Sequence, residues 1–151
     1  MTERSVAHGS FTVERTYPAS PARVFNAWAD PAIKRRWYGG SGQEGHVFEF
    51  EPGGREVHAG TGPEGQPYVF ESRYYDIVPD RRIVYAYEVK IGGVLHSVSI
   101  AAVQLRAAGS GTTVTVTEQG AFLDGHEIPD ERIGGTNWVL DRLGEILAED
   151  A

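Results

Sequence analysis

Cysteine is absent from the 151-residue sequence, which excludes disulfide bonds, thiolate metal sites and cysteine nucleophiles. The sequence also lacks a run of 18 apolar residues, so it predicts no membrane-spanning helix. The first ten residues, MTERSVAHGS, contain no apolar stretch of the kind found in secretory signal peptides. We therefore expect a cytoplasmic location and no membrane partner.

Basic residues are a minority, with 14 Lys and Arg against 21 Asp and Glu, and the net charge is −7. A nucleic-acid partner is not expected, because contact with phosphates needs a basic surface. The local basic run Lys34, Arg35 and Arg36 is predicted to be the solvated end of a short helix. The histidines do not have zinc-ligand spacing, so neither a metal nor a cofactor is expected.

The clearest element is an amphipathic helix over residues 130–149. Its apolar side chains recur at steps of three and four and form one face. They are Ile133, Val139, Leu140, Leu143, Ile146 and Leu147. Gly134, Gly135 and Gly144 remove side-chain volume from this helix, which indicates close contact with a sheet, a kink near the N-terminus of the helix, or space for a ligand. Trp138 is predicted on the outer, polar side.

Alternation of polar and apolar residues predicts a strand at 11–17 and six more after residue 45. The six are residues 46–51, 55–60, 68–78, 81–90, 94–106 and 112–119. Between the first two strands, Ser20-Pro21 and Asp30-Pro31 predict the starts of two helices. Short turns between the later strands predict an antiparallel sheet. We expect a disordered or loosely ordered segment over 1–10 and one domain over 11–149.

Four stretches of the sequence carry a resemblance to a known family. They are PASPARVFNAWADPAIKRRWYGG, PGGRE, YDIVPDRRIVYAY, and TEQGAFLDG with the closing LDRLGEIL. With these motifs the chain resembles the START-like superfamily, also called SRPBCC or helix-grip proteins. Within it the chain is similar to the AHSA-type branch, the homologues of the heat-shock chaperone ATPase activator. Relatives of this type often have a Trp where Thr136 stands here.

The resemblance implies an α+β, helix-grip fold in which a curved antiparallel sheet of six to seven strands wraps round the long C-terminal helix. It also implies a cavity between sheet and helix. The side chains predicted to line this cavity are Trp37, Tyr38, Phe48, Phe70, Tyr85, His96, Glu118, Phe122 and Leu140. Whether the Tyr85/Tyr87 face or the Val84/Ala86 face of its strand points inward stays open, because a bulge would reverse the alternation.

Glu118 shares its strand face with Val114 and Val116, so it is predicted to point inward. A buried, unpaired carboxylate would cost several kcal/mol, so we expect a polar partner for it. The candidate partners are Arg55, Arg73, His96 and Tyr85. Burial would also raise the pKa of this carboxyl unless a cation or donor offsets it.

Three functions are compatible with this sequence. The first is the binding of a small, largely apolar molecule in a cavity of at least about 300 Å³, the lower range for ligand pockets. The second is an enzyme of the polyketide cyclase/dehydratase or hydrolase type, with Glu118 and His96 as catalytic candidates. The third is a chaperone cofactor, another protein-interaction module or a homodimer, with Trp138 and Trp37 as the contact.

Overall fold

The structure is a computed structural model that describes residues 4–38, 43–62 and 64–149. Its elements in chain order are β1 (Val6–Tyr17), α1 (Pro21–Ala29), α2 (Pro31–Trp37), β2 (Gln43–Phe48), β3 (Arg55–Thr61), β4 (Pro67–Val78), β5 (Arg82–Ile91), β6 (Val94–Ala108), β7 (Gly111–Leu123) and α3 (Pro129–Glu149). None of the helices in this described part of the chain combines the length and apolarity needed to cross a bilayer.

The strands of the described residues form one curved antiparallel sheet in the order β1-β7-β6-β5-β4-β3-β2. Consecutive strands from β2 to β7 are neighbours, so short turns suffice to connect most of them. Gly92 and Gly93, between β5 and β6, both have positive φ angles of 60° and 77°, which a two-residue hairpin turn requires. The predicted α+β fold with its curved antiparallel sheet is therefore confirmed.

The first strand begins earlier than predicted. Val6 pairs with Leu123 and Ser10 pairs with Gln119, so residues 6–10 belong to the sheet. The expectation of a disordered segment over 1–10 is wrong for these residues, whereas residues 1–3 lie outside the described part. The alternation rule missed this segment because His8, Gly9 and Ser10 have few apolar atoms. Backbone hydrogen bonds to β7 hold it instead, and β7 extends correspondingly beyond the predicted 112–119.

Both short helices begin as their sequences predict. The Ser20 side chain accepts a hydrogen bond from the Arg23 backbone N–H (3.2 Å), and Asp30 accepts one from Ala32 (2.9 Å). Trp37, at the end of α2, is almost fully buried, and its indole Nε1 donates to the backbone oxygen of Ala27 (3.0 Å). This bond fastens α2 to α1.

The long helix α3 packs its apolar face onto the concave side of the sheet. Leu140, Leu143 and Leu147 are buried there, and burying each such side chain contributes roughly 1.5–3 kcal/mol. The Tyr17 hydroxyl donates to the backbone oxygen of Leu140 (2.8 Å), which links β1 to the middle of α3. A Cβ on Gly144 would lie 3.2 Å from the Tyr17 ring, so this glycine permits close contact between helix and sheet.

Candidate ligand-binding cavity

A cavity of about 100 Å³ lies between α3 and the concave face of the sheet. Its wall consists of Trp28, Trp37, Tyr38, Tyr85, Tyr87, Val103, Val116, Glu118, Arg132, Gly135, Thr136, Val139 and Leu140. A Cβ on Gly135 would meet no other atom within 4 Å, so this glycine leaves open space. The volume is smaller than the predicted 300 Å³, and five large aromatic side chains lie in the wall: Trp28, Trp37, Tyr38, Tyr85 and Tyr87.

Five of the nine predicted cavity residues lie in this wall. They are Trp37, Tyr38, Tyr85, Glu118 and Leu140. The inward face of β5, which the alternation left open, is the Tyr85/Tyr87 face, since both tyrosines are buried and Val84 and Ala86 are less so. Val114 and Val116 are also buried, as predicted from the parity of their strand.

The other four predicted residues lie outside the wall. Phe48 packs beside Phe50 with 5.9 Å between ring centroids. Phe70 packs beside Tyr68 at 5.7 Å. Both are on the strands at the β2 side of the sheet, whereas the wall residues of the sheet come from β5, β6 and β7. The prediction is therefore wrong for Phe48 and Phe70.

His96 and Phe122 lie outside the wall for a different reason. The His96 ring stacks on the His126 ring, with 4.3 Å between centroids and 7° between planes. Phe122 is buried, but the guanidinium of Arg132 covers its ring at 5.2 Å from the centroid. The prediction is wrong for both residues, and the structure does not bring His96 into the cavity with Glu118.

Glu118 is only 6% exposed and binds two hydroxyl groups. The Tyr87 hydroxyl donates to its Oε1 (2.6 Å), and the Thr136 hydroxyl donates to its Oε2 (3.2 Å). Neither of these partners is among the four predicted from the sequence, which were Arg55, Arg73, His96 and Tyr85. Tyr87 comes from the inward face of β5 and Thr136 from α3, and only the three-dimensional fold brings them to β7.

Arg132 forms the second half of this polar end of the cavity. Its Nε and Nη2 donate to the two carboxylate oxygens of Glu127 (2.9 and 2.8 Å). Its Nη1 donates to the Tyr87 hydroxyl (2.8 Å) and to Ser99 (3.3 Å), and its Nη2 also donates to Ser97 (2.8 Å). Arg132 was not predicted as a site residue. The sequence feature that could have identified it is its spacing, because it precedes Gly135 and Thr136 by three and four residues and so shares their face of the helix.

Burial controls the ionisation of the cavity groups. Desolvation raises the pKa of Glu118 above its ordinary value, although hydrogen bonds from Tyr87 and Thr136 and the Arg132 charge oppose the shift. Desolvation also raises the pKa values of Tyr38, Tyr85 and Tyr87 well above the ordinary value for tyrosine. The three phenols therefore stay protonated at neutral pH, and Tyr87 donates its O–H to Glu118.

A second buried polar cluster lies beyond Tyr38 and consists of Lys34, Glu56, His58 and Tyr74, all less than 10% exposed. Lys34 Nζ lies 2.7 Å from Glu56 Oε1, and the Tyr74 hydroxyl and the His58 Nε2 also bond to the Glu56 carboxylate. Lys34 is thus not the solvated helix end predicted from the basic run. Its ammonium lies 4.6 Å from the centroid of the Tyr38 ring, which separates the cluster from the cavity.

The two tryptophans proposed as a protein contact lie in different environments. Trp138 is 52% exposed, and the Arg142 guanidinium lies 4.9 Å from its ring. Trp37 is 1% exposed, so the prediction of a surface contact is wrong for it. In the described part of the chain, no three His, Asp or Glu side chains are grouped so as to hold a metal ion.

Comparison with known proteins places this geometry in context. The family model for "Activator of Hsp90 ATPase homolog 1-like protein" matches residues 18–148. An uncharacterized protein from Rhizobium leguminosarum is 38% identical over 98% of this chain and 99% of its own, with a TM-score of 0.92. The Mll3558 protein from Rhizobium loti is 43% identical over 94% of this chain and 99% of its own, with a TM-score of 0.89.

More distant structures share the fold. CalU16 from Micromonospora echinospora is 20% identical over 99% of this chain and 88% of its own, with a TM-score of 0.68. At that identity the likeness shows the fold alone. No curated protein matches the chain.

Proposed function

We propose that this chain, which belongs to the family of activator of Hsp90 ATPase homolog 1-like proteins and has their START-like fold, binds a small, largely apolar molecule between α3 and the sheet. The observation that carries the proposal is the cavity itself, which has apolar walls and one polar end. An apolar pocket with a few converging polar groups is the usual form of a small-molecule site.

The cavity wall supplies the two kinds of contact that such a ligand needs. Trp28, Val103 and Val116 contribute apolar surface. Glu118 and the hydroxyl of Tyr87 contribute hydrogen-bonding groups at one end. Removal of the apolar part of a ligand from water would contribute about 25 cal/mol per Å² of buried surface, and the polar end would fix its orientation.

The volume sets the size of the ligand. A dry protein cavity of about 150 Å³ is known to hold benzene. The cavity of about 100 Å³ in this protein is smaller, so one ring is the upper limit for a ligand that it holds without opening. Gly135, which lies both in the wall and at the protein surface, leaves open space beside this volume.

Gly135 offers a direct test, because it lies in the cavity wall and a Cβ there would meet no other atom within 4 Å. We expect native mass spectrometry of the freshly purified wild-type protein to show a bound small molecule. Gly135→Leu should abolish this additional mass by filling the cavity.

Gly134→Leu is the matched control. A Cβ on Gly134 would also meet no other atom within 4 Å, but this residue does not line the cavity. The control should therefore retain the bound molecule, while both substitutions change helix propensity equally. A wild-type protein without any bound molecule, or a molecule that persists in Gly135→Leu, would contradict the proposal.

A further inference from the structure

The polar end of the cavity contains an arginine whose donors are all in use. Arginine has five N–H groups and no acceptor. In Arg132, Nε donates to Glu127, Nη1 donates to Tyr87 and Ser99, and Nη2 donates to Ser97 and Glu127. The two-pronged bond that arginine forms with carboxylate or phosphate ligands is therefore already made, with Glu127. No N–H of Arg132 remains for an anionic ligand.

The hydroxyl groups beside Glu118 are also committed. The Tyr87 O–H donates to Glu118 and its oxygen accepts from Arg132, while the Thr136 O–H donates to the other carboxylate oxygen. An ionised carboxylate has about four lone-pair sites, and these two hydroxyls occupy two of them. What Glu118 offers the cavity is therefore acceptor capacity, and a ligand that satisfies it must bring a donor.

The charges around this end of the cavity also disfavour an anionic ligand. When Glu118 is ionised, two carboxylates, Glu118 and Glu127, face one guanidinium, Arg132, which leaves one net negative charge in the group. All three side chains are largely buried, so screening by salt and water is weak. A carboxylate ligand would be repelled by this net charge and would find no free N–H of Arg132.

We propose that the cavity selects an uncharged ligand that donates an O–H or N–H to Glu118, as an alcohol or phenol does, and that it excludes carboxylates. The inference rests on the proposed function, since it assigns the ligand class of the same cavity. It goes further because it fixes which end of the ligand meets Glu118 and which charge the ligand lacks.

Three probes of nearly the same size test this selection. Phenol has a donor, toluene has a methyl group in its place, and benzoate has a negative charge. Their affinities for the wild-type cavity are measured at pH 8 by the tryptophan fluorescence of a Trp138→Phe variant, which keeps the two cavity tryptophans, Trp28 and Trp37. We expect phenol to bind about tenfold more tightly than toluene, the effect of one net hydrogen bond, and benzoate not to bind.

Two variants assign the selection to its residues. Glu118→Met removes both acceptor oxygens, so the phenol-to-toluene ratio should fall to about one. Glu118→Gln, which retains one acceptor, should give an intermediate ratio and serves if the methionine variant does not fold. Glu127→Ala frees two N–H groups of Arg132 and removes the net negative charge, so it should gain benzoate binding.

The outcomes separate this inference from the proposed function. Equal binding of phenol and toluene, or tighter binding of benzoate by the wild-type cavity, would overturn the inference while the cavity remained a binding site. A Glu127→Ala variant that still rejects benzoate would also overturn the assigned role of Arg132. If none of the three probes bound, or if Gly135→Leu did not weaken their binding, both the inference and the proposed function would fail.

Discussion

Two buried glutamates show how strongly the immediate neighbours of a carboxyl decide its chemistry. Glu56 and Glu118 are both less than 10% exposed, so desolvation raises the pKa of each. For Glu56 the Lys34 ammonium and the His58 ring reverse the shift, and its pKa is lowered to about 2. Glu118 has hydroxyl partners and a guanidinium shared with Glu127, which do not reverse it. One carboxyl is thus held in a closed ion pair, and the other remains available to the cavity.

The raised pKa of Glu118 predicts a cost in stability above its unfolded pKa, near 4.5. A carboxyl whose pKa is raised by folding binds more protons in the native state, so stability is highest below the unfolded value and is lost as pH rises through the folded value. Glu118→Gln removes this titration. We expect the difference in the free energy of unfolding between variant and wild type to move in favour of the variant as pH rises from 4.5.

Urea denaturation followed at intervals between pH 4 and pH 8 measures this difference. Glu145→Gln, which removes an exposed carboxyl from α3, is the control for the loss of one negative charge. Parallel pH profiles for wild type and Glu118→Gln would show that folding does not raise the pKa of Glu118.

At the scale of elements, the starts of the helices and the apolar face of α3 were predicted correctly, because interactions between residues close in the sequence determine them. Ser20 and Asp30 cap their helices, as expected for a side-chain oxygen directly before a proline at the first helical position. The apolar face of α3 followed from its own periodicity. The pairing of residues 6–10 with β7 could not be predicted this way, because backbone bonds to a strand more than a hundred residues later hold a segment with few apolar side chains.

The site was less predictable than the fold because its polar contacts join distant elements. Glu118 was identified from the alternation of β7, but its partners come from β5 and α3. In β3 the same rule would bury Val57, whereas Glu56 and His58 point inward and are buried. Lys34 from α2 and Tyr74 from β4 both bind the Glu56 carboxylate in this orientation. No pattern within β3 contains that information.

The glycines of α3 give a prediction for the helix as an element. Gly134→Ala should stabilise the protein by about 1 kcal/mol, because alanine has the higher helix propensity and a Cβ there meets nothing within 4 Å. Gly144→Ala gains the same propensity, but its Cβ would lie 3.2 Å from the Tyr17 ring. That ring cannot move freely, since its hydroxyl donates to Leu140. We therefore expect no net stabilisation from Gly144→Ala.

Chemical denaturation of the two alanine variants at one pH gives the comparison directly. Both substitutions replace glycine by alanine in the same helix, so the gain in helix propensity is the same for both. The difference between their free energies of unfolding therefore reports the contact with Tyr17. Equal stabilisation by both substitutions would mean that β1 and α3 are not in close contact at Gly144.

In the whole molecule, the concave face of the sheet contains two polar groups of residues with a cavity beside one of them. The Lys34–Glu56 ion pair joins α2 to β3. At the start of α3, Arg132 binds Tyr87 of β5 and Ser97 of β6, and Thr136 binds Glu118 of β7. Tyr38 lies between the two groups and lines the cavity. The side chains that surround the ligand site are therefore held from both directions by buried polar bonds, which favours a site of fixed shape.

The Lys34–Glu56 pair also determines how the whole molecule responds to acid. Because the pKa of Glu56 is lowered to about 2 in the folded state, against 4.5 for an ordinary glutamate, its contribution to stability is present above pH 4.5 and is lost as pH falls toward 2. A difference of that size corresponds to about 3 kcal/mol.

Glu56→Gln should lower the free energy of unfolding at pH 7 and should remove this part of the acid dependence. Thermal unfolding between pH 2 and pH 7 measures both effects, and the two proteins should converge at the acid end because protonated Glu56 can no longer balance the buried Lys34 charge. If the difference between them did not shrink as pH fell, the ion pair would not be the source of the stability that buried Glu56 contributes.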